Sequence, residues 1–154
     1  MHSKYTFRDA RPADMGRMSD LLSQLFAIEQ DFEVDLIKQR AGLEMLLQSD
    51  RAQAFIAETA GEVIAMATLQ IVVSTGEGGL VGWVEDVAVD RAHRGKGVGR
   101  RLLDHLQQWS DSQGLSRLQL AADRGNRPAL DFYHRNGWSE TNLMVLRRAQ
   151  THGI

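Results

Sequence analysis

Between positions 91 and 101 the chain reads RAHRGKGVGRR, which sets glycines at 95, 97 and 99 among five cations, Arg91, Arg94, Lys96, Arg100 and Arg101. Glycines lack Cβ atoms, so main-chain N–H groups can approach a ligand closely. A helix N-terminus adds unpaired donors and a partial positive charge. That combination suits a phosphate or pyrophosphate. The positive charge is local: 18 Lys and Arg stand against 20 Asp and Glu, a net charge of -2. Bulk electrostatics therefore point to a small polyanionic ligand and away from nucleic acid. Two rival phosphate motifs fail by inspection. A P-loop needs Ser or Thr after its lysine, whereas Gly97 follows Lys96. A dinucleotide fingerprint begun at Gly95 meets Arg100 at its sixth place, and the loop lies past the middle of the chain.

A loop of this kind needs a strand before it and a helix after it, and the surrounding pattern supplies both. Residues 82–90, GWVEDVAVD, form a β-rich run. Val98, Leu102, Leu106 and Trp109 then recur on one helix face. A strand over 115–121 follows, and the order strand, helix, strand implies a crossover onto a parallel neighbour. Upstream, 5–8 is strand-like. Pro12 and the series Met15, Met18, Leu22, Leu25 predict a helix ending near Glu29. A second helix is expected over 35–47, then strands over 53–59 and 63–73 joined by a short turn. A helix over 126–136 has Asn126 as its cap, Pro128 in its first turn and Gly137 as its stop, and a last strand is expected over 143–147.

Composition narrows the classes. A chain of 154 residues, 43% hydrophobic and 25% charged, fits one globular domain, 1–154, with its core over about 4–148. There is no Cys, which excludes disulfides, thiolate zinc sites and a cysteine nucleophile. The histidines at 2, 93, 105, 134 and 152 show no metal-ligand spacing, so no metal is expected. The apolar runs are too short for a membrane span, and the opening MHSKYTF lacks a secretory apolar region, so a cytoplasmic protein is expected.

Arg94-x-x-Gly97-x-Gly99 resembles the [QR]-x-x-G-x-[GA] signature of the GNAT superfamily of acetyl-CoA-dependent N-acetyltransferases. Asn126-x-x-Ala129-x-x-x-Tyr133, followed by Asn136-Gly137-Trp138, is similar to its second block. The stretch from Trp83 to Tyr133 most resembles the diamine and polyamine branch. The resemblance implies an α/β fold: a mixed, mostly antiparallel sheet flanked by about four helices, with acetyl-CoA bound where strands four and five part. It implies that the main chain of Val87, Ala88 and Val89 pairs with the pantetheine arm as an added strand. It also implies that Arg94, Gly95, Lys96, Gly97, Val98, Gly99 and Arg100 hold the pyrophosphate, with Asn126, Ala129 and Tyr133 completing the cofactor side. A homodimer and a small-molecule amine acceptor are family expectations, without nucleic-acid or membrane partners.

Acetyl transfer to an amine needs a neutral nucleophile and a protonated leaving sulfur. Tyr133 is the candidate acid, since a phenol near 10 stays protonated at neutral pH and can protonate a thiolate near 8.5. Glu85 is the candidate base and substrate residue. A carboxylate near 4.3 and an alkylammonium near 10.4 differ by roughly 6 pH units, about 8 kcal/mol. A water relay or ammonium binding, helped by burial, is therefore expected rather than direct deprotonation. Alternation puts Trp83, Glu85, Val87 and Val89 on one face and Val84, Asp86 and Ala88 on the other, which makes Asp86 the second choice. Glu29, Asp31, Glu33 and Asp35 form an acidic run suited to drawing in a cationic amine, with Glu29 and Asp31 as candidate substrate residues. A non-catalytic acetyl-CoA-binding module and an enzyme acting on protein amines are the alternatives.

Overall fold

The computed structural model describes residues 4–29 and 31–150, so His2 and His152 lie outside the described residues. The chain forms two compact units, one ending at Leu120 and one beginning at Ala121. The first contains β1 (Thr6–Asp9), α1 (Met15–Ile28), α2 (Leu36–Gln48), β2 (Ala52–Thr59), β3 (Glu62–Ser74), β4 (Gly79–Val89), α3 (Val98–Ser112) and β5 (Leu118–Leu120). The second contains α4 (Arg127–Arg135).

The strands lie in the order β1-β2-β3-β4-β5; the first four are antiparallel and β5 joins β4 in parallel, as the intervening α3 requires. This mixed sheet, with four α-helices among the described residues, is the fold that the family resemblance implies. Pro12 opens a 3-10 turn that runs directly into α1, where Met18, Leu21 and Leu22 are buried. The turn between β2 and β3 uses Ala60 and Gly61, both with positive φ (50° and 77°), the conformation that a two-residue hairpin needs to match strand twist.

The two faces of the sheet have different partners. Fully buried Phe55 meets His105 and Trp109 of α3 edge-on, with ring centroids 5.7 and 5.6 Å apart. Its neighbours Ala54 and Ile56 point the other way and join Met18, Leu22, Leu43, Met66 and Ala88 in the core beneath α1 and α2.

β4 does not alternate as its sequence suggests. Thr68 pairs with Glu85 and Met66 with Ala88, so two steps along β3 oppose three along β4. The extra residue is a β-bulge, and Asp86 takes a left-handed conformation within it, φ 56°. Past the bulge the phase inverts: Ala88 belongs to the α1/α2 core, and Val89 pairs with Ala65 on the neighbouring register. The expected facing of Asp86, Ala88 and Val89 relative to Glu85 is thereby corrected.

Two strand boundaries also change. β5 has three residues rather than the expected seven. The strand expected over 143–147 does not form: 143–150 carry no regular structure, and Leu143, Met144, Val145 and Leu146 are 66–85% exposed. Strand preference reflects packing on a pleated surface, which sequence alone does not supply.

In the second unit α4 is closed at both ends. Asn126 Oδ1 accepts the Ala129 N–H at 3.3 Å. At the other end Gly137, with φ 90°, donates to the His134 carbonyl, and Trp138 N–H donates to the Tyr133 carbonyl, which completes a Schellman stop.

Replacing Phe55 by Ala deletes the ring that seats α3 on β2. The expected loss is about 3–5 kcal/mol of unfolding free energy. Urea denaturation measures it, and a loss below about 1 kcal/mol would show that α3 is held elsewhere.

Candidate active site

Gly97 is the N-cap of α3, with φ 78° and no side-chain cap bond. The amides of the first helical turn, Val98 to Arg100, have no acceptor within the helix and point out from its start. A Cβ built on Gly97 would meet nothing within 4 Å, so glycine is required there by backbone conformation and not by crowding. Arg94 Nε donates to the Val89 carbonyl at 2.9 Å, which ties the loop to the end of β4. The Arg101 guanidinium sits over the Phe7 ring, 4.6 Å from its centroid, and so contributes to packing α3 on β1. Arg91, Lys96 and Arg100 are exposed.

The pairing of β4 with β5 ends at Val84 and Leu120. From Glu85 to Val89 the side of β4 away from β3 has no strand partner among the described residues. An extended polar chain fits such an edge, and an anion fits the amides at the start of α3. The residues present thus suit acetyl-CoA: Val87, Ala88 and Val89 for the pantetheine arm, and Gly95 to Arg100 for the pyrophosphate.

On the α1/α2 side lies a cavity of about 510 Å³. Its walls are mostly apolar, with Leu22 and Phe26 from α1, Phe32 from the connection, and Leu43 and Met45 from α2. The Phe26 and Phe32 rings stack at 5.3 Å. The connection is pinned by buried Gln39, which accepts the Asp35 N–H at 2.9 Å and donates to the Ser19 carbonyl at 3.0 Å. Glu33 and Asp35 line the cavity, whereas the expected substrate residues Glu29 and Asp31 are not among its walls. Asp35 also caps α2 by accepting the Lys38 N–H at 3.1 Å.

Both acids of β4 border this cavity, which strict alternation had ruled out. The bulge is the reason: its left-handed residue turns Asp86 toward the side that Glu85 already faces. Their surroundings differ. Glu85 is exposed and accepts the Trp83 indole N–H at 2.7 Å. Asp86 is partly buried and accepts the Thr68 hydroxyl at 2.9 Å. Burial pushes the Asp86 carboxyl up to about 6; the Thr68 bond pulls it down, and the Glu85 charge adds to the rise. A carboxyl poised there can exchange protons near neutrality.

Tyr133, in the second unit, is partly buried and meets Phe132 and Trp138 edge-on at 5.3 and 6.0 Å. The Schellman stop sets Trp138 against the ring, so the same turn that ends α4 orients the phenol. Among the described residues no cluster of His, Asp or Glu could hold a metal ion, and no helix is long and apolar enough to cross a membrane. Sequence reasoning missed Thr68, Phe26 and Phe32. Paired acids in an apolar strand were a visible signal, whereas a threonine in the run AMATLQIVV gave none.

The family model described as Acetyltransferase (GNAT) family matches residues 18–138. Streptothricin acetyltransferase of Streptomyces lavendulae is 28% identical over 161 residues, spanning 92% of this chain and 85% of that protein. Glucosamine 6-phosphate N-acetyltransferase of Trypanosoma brucei brucei is 30% identical over 103 residues, spanning 66% of this chain and 63% of that one. A solved aminoglycoside N-acetyltransferase in complex with CoA shares the fold, with a TM-score of 0.82 at 21% identity and 98% of each chain covered. With a match that runs from within α1 to Trp138, this chain belongs to the GNAT acetyltransferase family and is an N-acetyltransferase.

Proposed function

We propose that the protein transfers the acetyl group of acetyl-CoA directly to the primary amine of a small cationic molecule, with polyamines and amino sugars as the classes to test first. The observation that carries this reading is the convergence of Glu85 and Asp86 on one apolar-walled cavity beside the unpaired edge of β4. Streptothricin, glucosamine 6-phosphate and aminoglycosides are the acceptors named for the relatives, which supports a small amine.

Acetyl-CoA supplies an acetyl thioester, and the protein must supply a neutral amine and a proton for the sulfur. Glu85 and Glu33 attract the ammonium to the cavity. Asp86 takes its proton, directly or through one water. With Asp86 raised to about 6, the gap to an alkylammonium near 10.4 is about 4 pH units, or about 6 kcal/mol. That is smaller than for an ordinary carboxylate, and the apolar walls lower the amine further. Nitrogen bonds to the acetyl carbon as the carbon–sulfur bond breaks, and Tyr133 gives the departing thiolate its proton. No Cys is present to carry the acetyl group, which supports direct transfer with both substrates bound together.

The decisive experiment is a screen for release of free CoA against polyamines, amino sugars, amino acids and peptide N-termini. Release with a small cationic amine and intersecting initial-rate patterns are expected. Ping-pong kinetics would overturn direct transfer, and binding of acetyl-CoA without release for any amine would reveal a binding module.

Asp86→Asn keeps a side chain that tolerates the left-handed backbone, so it should fold. Its kcat/KM should fall about 10²–10⁴-fold. The parent enzyme should lose activity as pH drops below about 6, a limb the variant lacks. The sign for stability is opposite. The folded carboxyl titrates above its unfolded value near 3.9, so its destabilising effect is absent below that pH and complete above about 6. Above pH of about 7, Asp86→Asn should be more stable by up to about 3 kcal/mol. Equal stability at high pH, or an unchanged pH profile, would remove Asp86 from the role.

Tyr133→Phe keeps the ring contacts and deletes the acid. Turnover should fall about 10–10³-fold while acetyl-CoA affinity, read by calorimetry, changes less than about twofold. Unchanged turnover would exclude Tyr133 as the acid.

A further inference from the structure

Thr68 lies in the middle of β3, 1% exposed, between fully buried Ala67 and Leu69. A valine would fill the same space, so the hydroxyl is not there for packing. Its Oγ1 is 2.9 Å from Asp86 Oδ2 and 3.1 Å from the main-chain oxygen of Glu85. A hydroxyl carries one proton and two lone pairs, so it cannot donate to both oxygens at once. Two arrangements are open to it. With Asp86 ionised, Thr68 donates to the carboxylate. With Asp86 protonated, the carboxyl donates to Oγ1, and Thr68 turns its own proton to the Glu85 carbonyl.

We infer that Thr68 is a positioning residue for acetyl transfer, which holds the Asp86 carboxyl at the acceptor cavity and exchanges its hydrogen bond between carboxylate and bulge backbone as Asp86 gains and loses a proton. This rests on the reading of Asp86 as the base. The position in the sheet suits such a role, because Thr68 pairs with Glu85 at the register step where the bulge begins, so one side chain bonds both residues of the acid pair. The charged groups that share the cavity are Glu85 from β4, Glu33 and Asp35 from the connection, and Lys38 from α2; the walls from α1 and β3 are uncharged. None of these donates to Asp86 in the way Thr68 does, and its bond is the influence that lowers the carboxyl.

The test compares Thr68→Val, Thr68→Ser and Asp86→Asn in the full chain. Carboxyl titration by ¹³C NMR, without substrates, should show one aspartate near 6 that Asp86→Asn removes. Thr68→Val should move that titration up by about one pH unit, and Thr68→Ser should restore it. With acetyl-CoA and the fastest amine from the screen, the acid limb of kcat/KM should move with it, while KM for acetyl-CoA stays constant. Should Thr68→Val fail to fold, Thr68→Ala is read in the same way. An unmoved titration in the valine or alanine variant overturns the positioning role even where Asp86→Asn is inactive. A fully active Asp86→Asn overturns the base and the positioning role together, whatever the titration shows.

Discussion

One extra residue in β4 governs the site. Without it, Glu85 and Asp86 would face opposite sides of the sheet and no pair of acids would exist. With it, both border one cavity, and the strand beyond returns Ala88 to the core beneath α1 and α2. The same short stretch is where β4 leaves its pairing with β5, since the last paired residue is Val84. Bulge and open edge are adjacent in the chain. The proposed acceptor and cofactor sides therefore meet at one place in one strand, the condition for transfer between two bound substrates.

The arrangement costs stability. A left-handed, non-glycine residue stores about 1–3 kcal/mol, and a desolvated carboxylate adds to it. Such a combination persists only where the surroundings hold it. Here they do: Ile64 to Leu69 on β3 are fully or almost fully buried, and Thr68 among them bonds the bulge directly. Charge is separated along the same strand. Acids gather at the cavity around Glu85 and Asp86, and cations gather from Arg91 to Arg101 where the strand feeds α3. A chain with a net charge of -2 thus presents opposite fields to an ammonium and to a pyrophosphate.

How much of this was legible depends on whether the cue was local. The start of α1 is written in Pro12, the stop of α4 in Gly137, and the face of α3 in Val98, Leu102 and Leu106, because each reflects a dihedral or periodicity of its own residues. The glycine loop was legible for the same reason. The bulge was not, since GWVEDVAVD alternates well enough to read as a regular strand and the extra residue shows only in its pairing with β3. Residues 143–147 failed in the converse way: Leu-Met-Val-Leu has strand propensity, yet a strand needs a partner that composition does not specify. The acidic run was half legible. Its charge was plain, but which members turn inward was fixed by Gln39 locking the connection from the next helix.

Desolvation links these features to chemistry. In open water a carboxylate and an alkylammonium both keep their charges, and the proton stays on nitrogen. A cavity walled by Leu22, Phe26, Phe32 and Leu43 penalises both charges together. It lifts Asp86, and it would lower the amine of the proposed acceptor, so that the gap closes from two sides at once. Deepening the cavity without limit would leave Asp86 protonated at neutral pH, unable to accept. The Thr68 hydroxyl opposes that drift by donating to Asp86 Oδ2, which favours the ionised form. On the proposed reading, the apolar walls and one buried hydroxyl set the base between two failures, too weak when exposed and already protonated when buried.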